Sequence, residues 1–214
     1  MVENTQGLIL RTRPLTETSL IVHWLTPDLG RIATVAKGAR RPNSPFRGKL
    51  DLFYLADLSL SRSRRSQLHT LREVVLRQIN PALRHDLAYL KQASYCVALI
   101  EQTTETETPL PAIFQMLTGL LAHLPQQPAQ SLILFAFEMK LLVELGLKPG
   151  LGENRLSPGA RQILAKLAES DWTALSRLKL SAVQSREIQQ FLSDFLVYHL
   201  GKVPPSRKAA LAGS

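Results

Sequence analysis

The apolar residues of this 214-residue chain change their spacing near residue 80. Before that point they recur at every second position; beyond it they recur at helical spacing. Two periods in two separate stretches predict an α+β chain, a β unit followed by an α unit. Five runs carry the first period: "GLILRTRP", "SLIVHWLT", "GRIATVAKG", "LFYLADLSLS" and "SQLHTLREVVL". The first places Leu8 and Leu10 on one face and Ile9 and Arg11 on the other. Turn-formers separate the runs, and Pro14, Pro27, Pro42 and Pro45 all fall in connections, where no ladder hydrogen bond is lost. Five short strands in about 70 residues suit a small closed barrel of the OB type, with an SH3-like barrel as the alternative.

Asn80 and Pro81 read as a helix start, a capping side chain followed by a first-turn proline. The stripe Leu83, Leu87, Leu90, Ser94 and Val97 then runs through "NPALRHDLAYLKQASYCVALIEQ". "TTETETP" reads as a polar connection in which Glu105 and Glu107 are solvated. "LPAIFQMLTGLLAHL" gives a second helix. "SLILFAFEMKLLVELGL" is apolar nearly all round despite Glu138, Lys140 and Glu144, which places it at the centre of a bundle. "KPGLGENRLSPG" is a Gly/Pro loop. Ser157 and Pro158 restart a helix, and "SAVQSREIQQFLSDFLVYHLG" is a long last helix closed by Gly201. The expected organisation is an OB barrel over 1–79, a helical domain over 80–203 and a flexible basic tail over 204–214.

The net charge of +9 is unevenly spread: residues 1–80 hold 13 Lys/Arg against 6 Asp/Glu, and residues 81–214 hold 13 against 11. A basic barrel calls for an anionic partner, nucleic acid before a membrane surface. No apolar stretch reaches the 18 or so residues of a membrane span, and no signal peptide is visible, so a cytoplasmic protein without a membrane partner is expected. Cys96 stands alone in "ASYCVALI", reads as a small buried apolar side chain, and has no partner for an internal disulfide.

Signatures of catalysis are missing. His23, His69, His85, His123 and His199 are isolated, which suits surface or edge positions better than metal ligation. No phosphate loop or nucleophile elbow is present. The reading is a protein that is not an enzyme and takes no metal or other cofactor.

What stands out is "TVAKGARRPNSPFRGKL", where Lys37, Arg40, Arg41, Arg47 and Lys49 follow one another without an intervening carboxylate. Gly38 lets the backbone leave the sheet, and Phe46 sits amid the charge. Cations beside an aromatic ring suit a single-strand surface, phosphates on the cations and a base on the ring. Arg11 and Arg13 end the first strand and are placed to join. Arg62, Arg64 and Arg65 in "SRSRRS" read equally as further phosphate contacts or as a solvated hairpin tip. Base-specific readout is not expected, since no recognition-helix or zinc-finger pattern occurs. Two alternatives remain open: an OB-fold adaptor for acidic protein tails, and an RNA-binding protein.

These residues resemble a family. "RPLTETSLIV", the "LT…GRI" turn, "VAKGARR" with its following serine and "LHTLREVVL" look like the N-terminal barrel of RecO, a bacterial recombination mediator. "FEMKLLVELGLKP" and "FLVYHLGKVPPSR" resemble its helical part. The resemblance implies an OB barrel followed by helices, and a nucleoid-associated protein that binds single- and double-stranded DNA. It further implies annealing of complementary strands and help in loading RecA onto DNA coated with single-strand binding protein (SSB). RecR and the acidic C-terminal tail of SSB are the implied partners. By position, Lys37, Arg40 and Arg41 would be DNA contacts and Arg13 a candidate. Many members carry a four-cysteine zinc module after "LGLKP"; here "GLGENRLSPGARQ" stands in that place without a cysteine. In the tail, Lys202, Arg207 and Lys208 read as solvated cations with a secondary claim on DNA.

Overall fold

A computed structural model describes residues 2–150 and 156–212. The middle of the expected Gly/Pro loop, residues 151–155, and the last two residues of the tail lie outside the described residues. The chain divides into two compact units, Met1–Pro81 with Glu105–Thr118, and Ala82–Thr104 with Gly119–Ser214.

The first unit is built on five strands, β1 (Val2–Pro14), β2 (Leu20–Thr26), β3 (Gly30–Ala36), β4 (Leu55–Ser61) and β5 (Leu68–Gln78). They close as β1-β2-β3-β5-β4, with β4 returning to β1. Every pairing is antiparallel except β3 with β5. This is the OB-type order, and closure leaves no long free edge. The long β1 makes it possible. Val2 to Leu8 pair with β4, Leu8 to Pro14 pair with β2, and a bulge falls between Ile9 and Arg11. At the bulge Ile9 N–H donates to the Tyr54 carbonyl at 2.9 Å, and Phe53 N–H donates to the Ile9 carbonyl at 2.9 Å. The simple alternation expected for this run therefore fails. Leu8, Ile9 and Leu10 are all buried. Ile9, opposite Trp24, joins the barrel core, while Leu8 lies opposite Leu25.

Val22, Trp24, Ile32, Leu58, Leu60 and Leu71 fill that core with Ile9. Trp24 is fully buried, and its ring N–H donates to Thr34 Oγ1 at 2.8 Å, so the indole's polar atom is satisfied.

Glu105–Thr118 belongs to this unit. Thr106 bridges Arg31, Glu107 N–H donates to the Arg31 carbonyl at 3.0 Å, and Leu110 N–H donates to the Pro27 carbonyl at 3.1 Å. Gly30 turns at φ +67°, and a Cβ there would lie 1.8 Å from the Thr108 carbonyl oxygen. The expectation of a solvated Glu107 is corrected. Its carboxylate lies 3.3 Å from His69 Nε2 and 3.7 Å from Arg62 Nη2. His69, expected at a surface or edge position, is 1% exposed, and its Nδ1 accepts from Ser63 N–H.

The second unit is helical. The helix expected from Asn80 is two, α1 (Ala82–His85) and α2 (Leu87–Thr103). Asp86 caps α2 by accepting from Ala88 N–H at 2.7 Å. Asn80 does not cap; its amide donates to the Phe53 carbonyl at 2.7 Å. The sequence hid this because Asp and Asn are equally good caps. Along α3 (Pro111–His123), residues up to Thr118 fall in the first unit and those from Gly119 in the second. After a 3₁₀ turn at Leu124–Gln126, α4 (Ser131–Glu144) buries Leu132 to Met139, Leu141 and Leu142, as its all-round apolar surface requires. Ser157 caps α5 (Pro158–Glu169) as expected, accepting from Ala160 N–H at 3.3 Å. α6 (Trp172–Leu175) follows. A reciprocal Ser181–Gln184 capping box opens α7 (Ala182–Leu200), and Gly201 closes it at φ 72°.

The frayed tail is also corrected: α8 (Ser206–Leu211) is a helix, and Arg207 is only 8% exposed. Arg207 Nε and Nη2 donate to the two oxygens of Glu138 at 2.7 and 3.0 Å. An arginine with a buried bidentate carboxylate is not a solvated cation. His123 is buried as well and stacks on Trp172 with ring centroids 6.5 Å apart. Cys96 is buried as expected, and burial pushes its thiol up. Among the described residues no helix is long and apolar enough to cross a membrane.

Candidate nucleic-acid interface

The basic stretch leaves the end of β3 and is an ordered chain of turns. Arg41 N–H donates to Gly38 O, Ser44 N–H to Arg41 O, Arg47 N–H to Ser44 O, and Lys49 N–H to Phe46 O, all at 3.0–3.1 Å. Gly38 starts the series at φ +68°. The polar β1–β2 turn holds the stretch from one side. Arg40 N–H donates to the Thr18 carbonyl at 2.9 Å, Arg40 Nη1 to the Thr16 carbonyl at 3.3 Å, and Gly38 N–H to Ser19 Oγ at 3.3 Å. Thr16 Oγ1 in turn accepts from Thr18 N–H and Ser19 N–H. Arg47 Nη1 donates to the Pro42 carbonyl at 3.2 Å.

Lys37, Arg40, Arg41 and Arg47 are exposed, and Lys49 is half-buried. Among the described residues none of the five is in an ion pair. Like charges crowded without a counterion raise the local potential and attract an anion. Arg13 joins them. It lies at the end of β1, where the turn clamped by Arg40 begins, with its Nη2 3.4 Å from His23 Nε2. Glu17 is the acidic residue of that turn and is exposed.

Phe46 does not fit its expected role as a free stacking ring. It is 7% exposed and belongs to the barrel core, because the turn before it directs the ring inward. It still forms part of the floor of a depression of about 400 Å³, bounded by Arg40, Arg41 and Arg47. Leu20 and Leu50 share that floor, and sequence patterning gave no sign of either.

Arg62 is placed elsewhere. It pairs with Glu3 at 3.6 Å and with Glu107 at 3.7 Å, and Glu107 is bonded to Arg31 at the opposite end of β3 from Lys37. β3 spans residues 30–36, so roughly 20 Å of strand separates the two groups. Arg64 and Arg65 are exposed on the β4–β5 turn, and Arg65 N–H donates to Ser63 Oγ at 3.3 Å. The "SRSRRS" cluster is thus divided: Arg62 is ion-paired, while Arg64 and Arg65 stand exposed.

Residues 1–80 match the family described as Recombination protein O N terminal, and residues 84–154 and 150–208 match Recombination protein O C terminal. A protein of Bacillus pumilus called DNA repair protein RecO is 31% identical over 153 residues, covering 72% of this chain and 59% of its own length. One of the same name from Alkaliphilus metalliredigens is 35% identical over 71% of this chain and 61% of its own length. A third, from Anaeromyxobacter dehalogenans, is 27% identical over 94% of this chain and 93% of its own length. The chain thus spans about three fifths of the length of the first two and nearly all of the third. With a barrel and a helical unit each matched along its own part of the sequence, the chain belongs to the RecO family.

Proposed function

We propose that this protein is a DNA-binding mediator of recombinational repair. It binds single- and double-stranded DNA through the basic end of its barrel, anneals complementary strands, and assists RecA loading onto SSB-coated DNA. It does this without catalysing a reaction of its own. The observation that carries the reading is the set of five cations that have no ion-pair partner among the described residues and are held in fixed turns on an OB-type barrel. Two strands repel through their phosphates. A protein that neutralises phosphates on both lowers that repulsion and releases condensed counterions.

RecR and the acidic SSB tail are the partners this reading adds, and its place is in the cytoplasm on nucleoid DNA. For the tail, a hollow of about 470 Å³ in the helical unit offers apolar Val203, Pro204 and Leu211 beside Lys208. That combination suits a peptide carrying both carboxylates and an apolar end.

The test is anisotropy of a labelled single-stranded oligonucleotide across a salt series, for wild type and a Lys37→Ala/Arg40→Ala/Arg41→Ala variant. The variant should bind more weakly, with a salt slope shallower by roughly two to three units. Unchanged affinity and slope would remove the basic stretch from DNA binding.

A further inference from the structure

The depression beside the basic turns is built for more than phosphate. It is lined by three arginines, Arg40, Arg41 and Arg47, and between them by half-buried Leu20 and Leu50 and the small exposed part of Phe46, which form its apolar floor. Two of the three arginines are already positioned, Arg40 by the Thr16 carbonyl and Arg47 by the Pro42 carbonyl. The third, Arg41, crosses Gly38, where its Cδ would lie 3.6 Å from an added Cβ. Side chains held before the ligand arrives lose little freedom on binding it. A volume of about 400 Å³ lies in the range of small-ligand sites, far below what a duplex would need.

We propose that this depression takes one unpaired nucleotide of a bound strand. The base lies on the apolar floor, and its flanking phosphates lie on Arg40, Arg41 and Arg47. The inference rests on the DNA-binding reading above and deepens it. Phosphate contacts alone gain nothing from an unstacked base. An apolar floor admits a base only when that base is out of the stack, so the pocket makes the barrel discriminate in favour of single strands. Such a preference is tolerant of base identity, since every base has an apolar face.

The experiment compares three labelled ligands of equal phosphate number across a salt series: an ordinary single-stranded oligonucleotide, an abasic one and a hairpin duplex. Wild-type protein should bind the abasic strand about tenfold more weakly than the ordinary one, in line with the loss of base contacts, while the salt slopes of the two agree. An Ala39→Trp variant, which fills the depression and keeps every cation, should lose the same tenfold on the ordinary strand and nothing on the duplex. Equal binding of abasic and ordinary strands by wild type overturns the pocket and leaves phosphate binding standing. That comparison needs no variant and so does not depend on Ala39→Trp folding. If wild type binds none of the three ligands, the DNA-binding reading itself falls. Displacement of the ordinary strand by oligoglutamate as effectively as by unlabelled strand would assign the depression to acidic peptide and overturn the proposal.

Discussion

Arg207 and Glu138 lie 69 residues apart in sequence and form a bidentate, buried ion pair. The Tyr95 hydroxyl adds a bond to Glu138 Oε1 at 2.5 Å, so the carboxylate of a fully buried residue meets three donor groups from two other helices. Arg207→Ala leaves that carboxylate buried against tyrosine alone and should cost about 3–5 kcal/mol of stability. An apolar Glu138→Leu/Arg207→Leu pair should recover most of the loss. Urea unfolding of the variants measures both, and a negligible effect of Arg207→Ala would show that the buried pair contributes nothing to stability.

Acid should loosen the helical unit through His123. Burial holds its pKa below the ordinary value, with Asp171 opposing, so the unfolded chain binds the proton more tightly. Stability contributed by the neutral ring is present above the ordinary imidazole value of about 6.5 and is lost as pH falls through it towards the folded value. Thermal midpoints of wild type should therefore drop more between pH 7 and pH 5 than those of His123→Phe. Parallel curves would refute this linkage.

Gly30→Ala should destabilise the barrel unit by roughly 2–4 kcal/mol, because it combines a left-handed backbone with a clash against the chain at Thr108. The Thr108 carbonyl is backbone and cannot rotate aside as a side chain would. Protease cleavage between Glu105 and Leu110 should accelerate in the variant. Cleavage at the wild-type rate would mean that this segment is not held by the Gly30 turn.

Arg62→Ala should leave the slope of DNA affinity against salt unchanged, whereas Lys37→Ala should reduce it by about one unit. Arg62 is committed to Glu3 and Glu107. If the two variants shift the slope equally, the β4–β5 turn joins the DNA surface.

The barrel was legible because strand runs and turn-formers are local signals. Leu20 to Thr26 and Gly30 to Ala36 lie where their β-branched residues place them. The start of β1 was not, because Val2 to Gln6 is mostly polar and is held as strand by its pairing with β4. The cations of the basic stretch were found from charge alone. Which way Phe46 points was not, since a ring set between Pro45 and Arg47 reads the same whether it faces base or core. Glu107, Arg207 and His69 depart from the sequence expectation for a shared reason. Each is a polar residue whose partner is remote in sequence, and composition gives such a residue to solvent.

The inward ring of Phe46 makes the barrel core and the basic surface parts of one thermodynamic system. Every phosphate that favours the ordered turns favours the packed ring with them, so DNA should raise the melting temperature of the barrel by an amount that grows with the logarithm of its affinity. The exchange also runs in reverse: a core substitution that frees the ring, far from any cation, weakens DNA by unfastening the geometry in which the charges are held. Variation in this loop is thus constrained twice, by the anion outside and by the hydrophobic volume within.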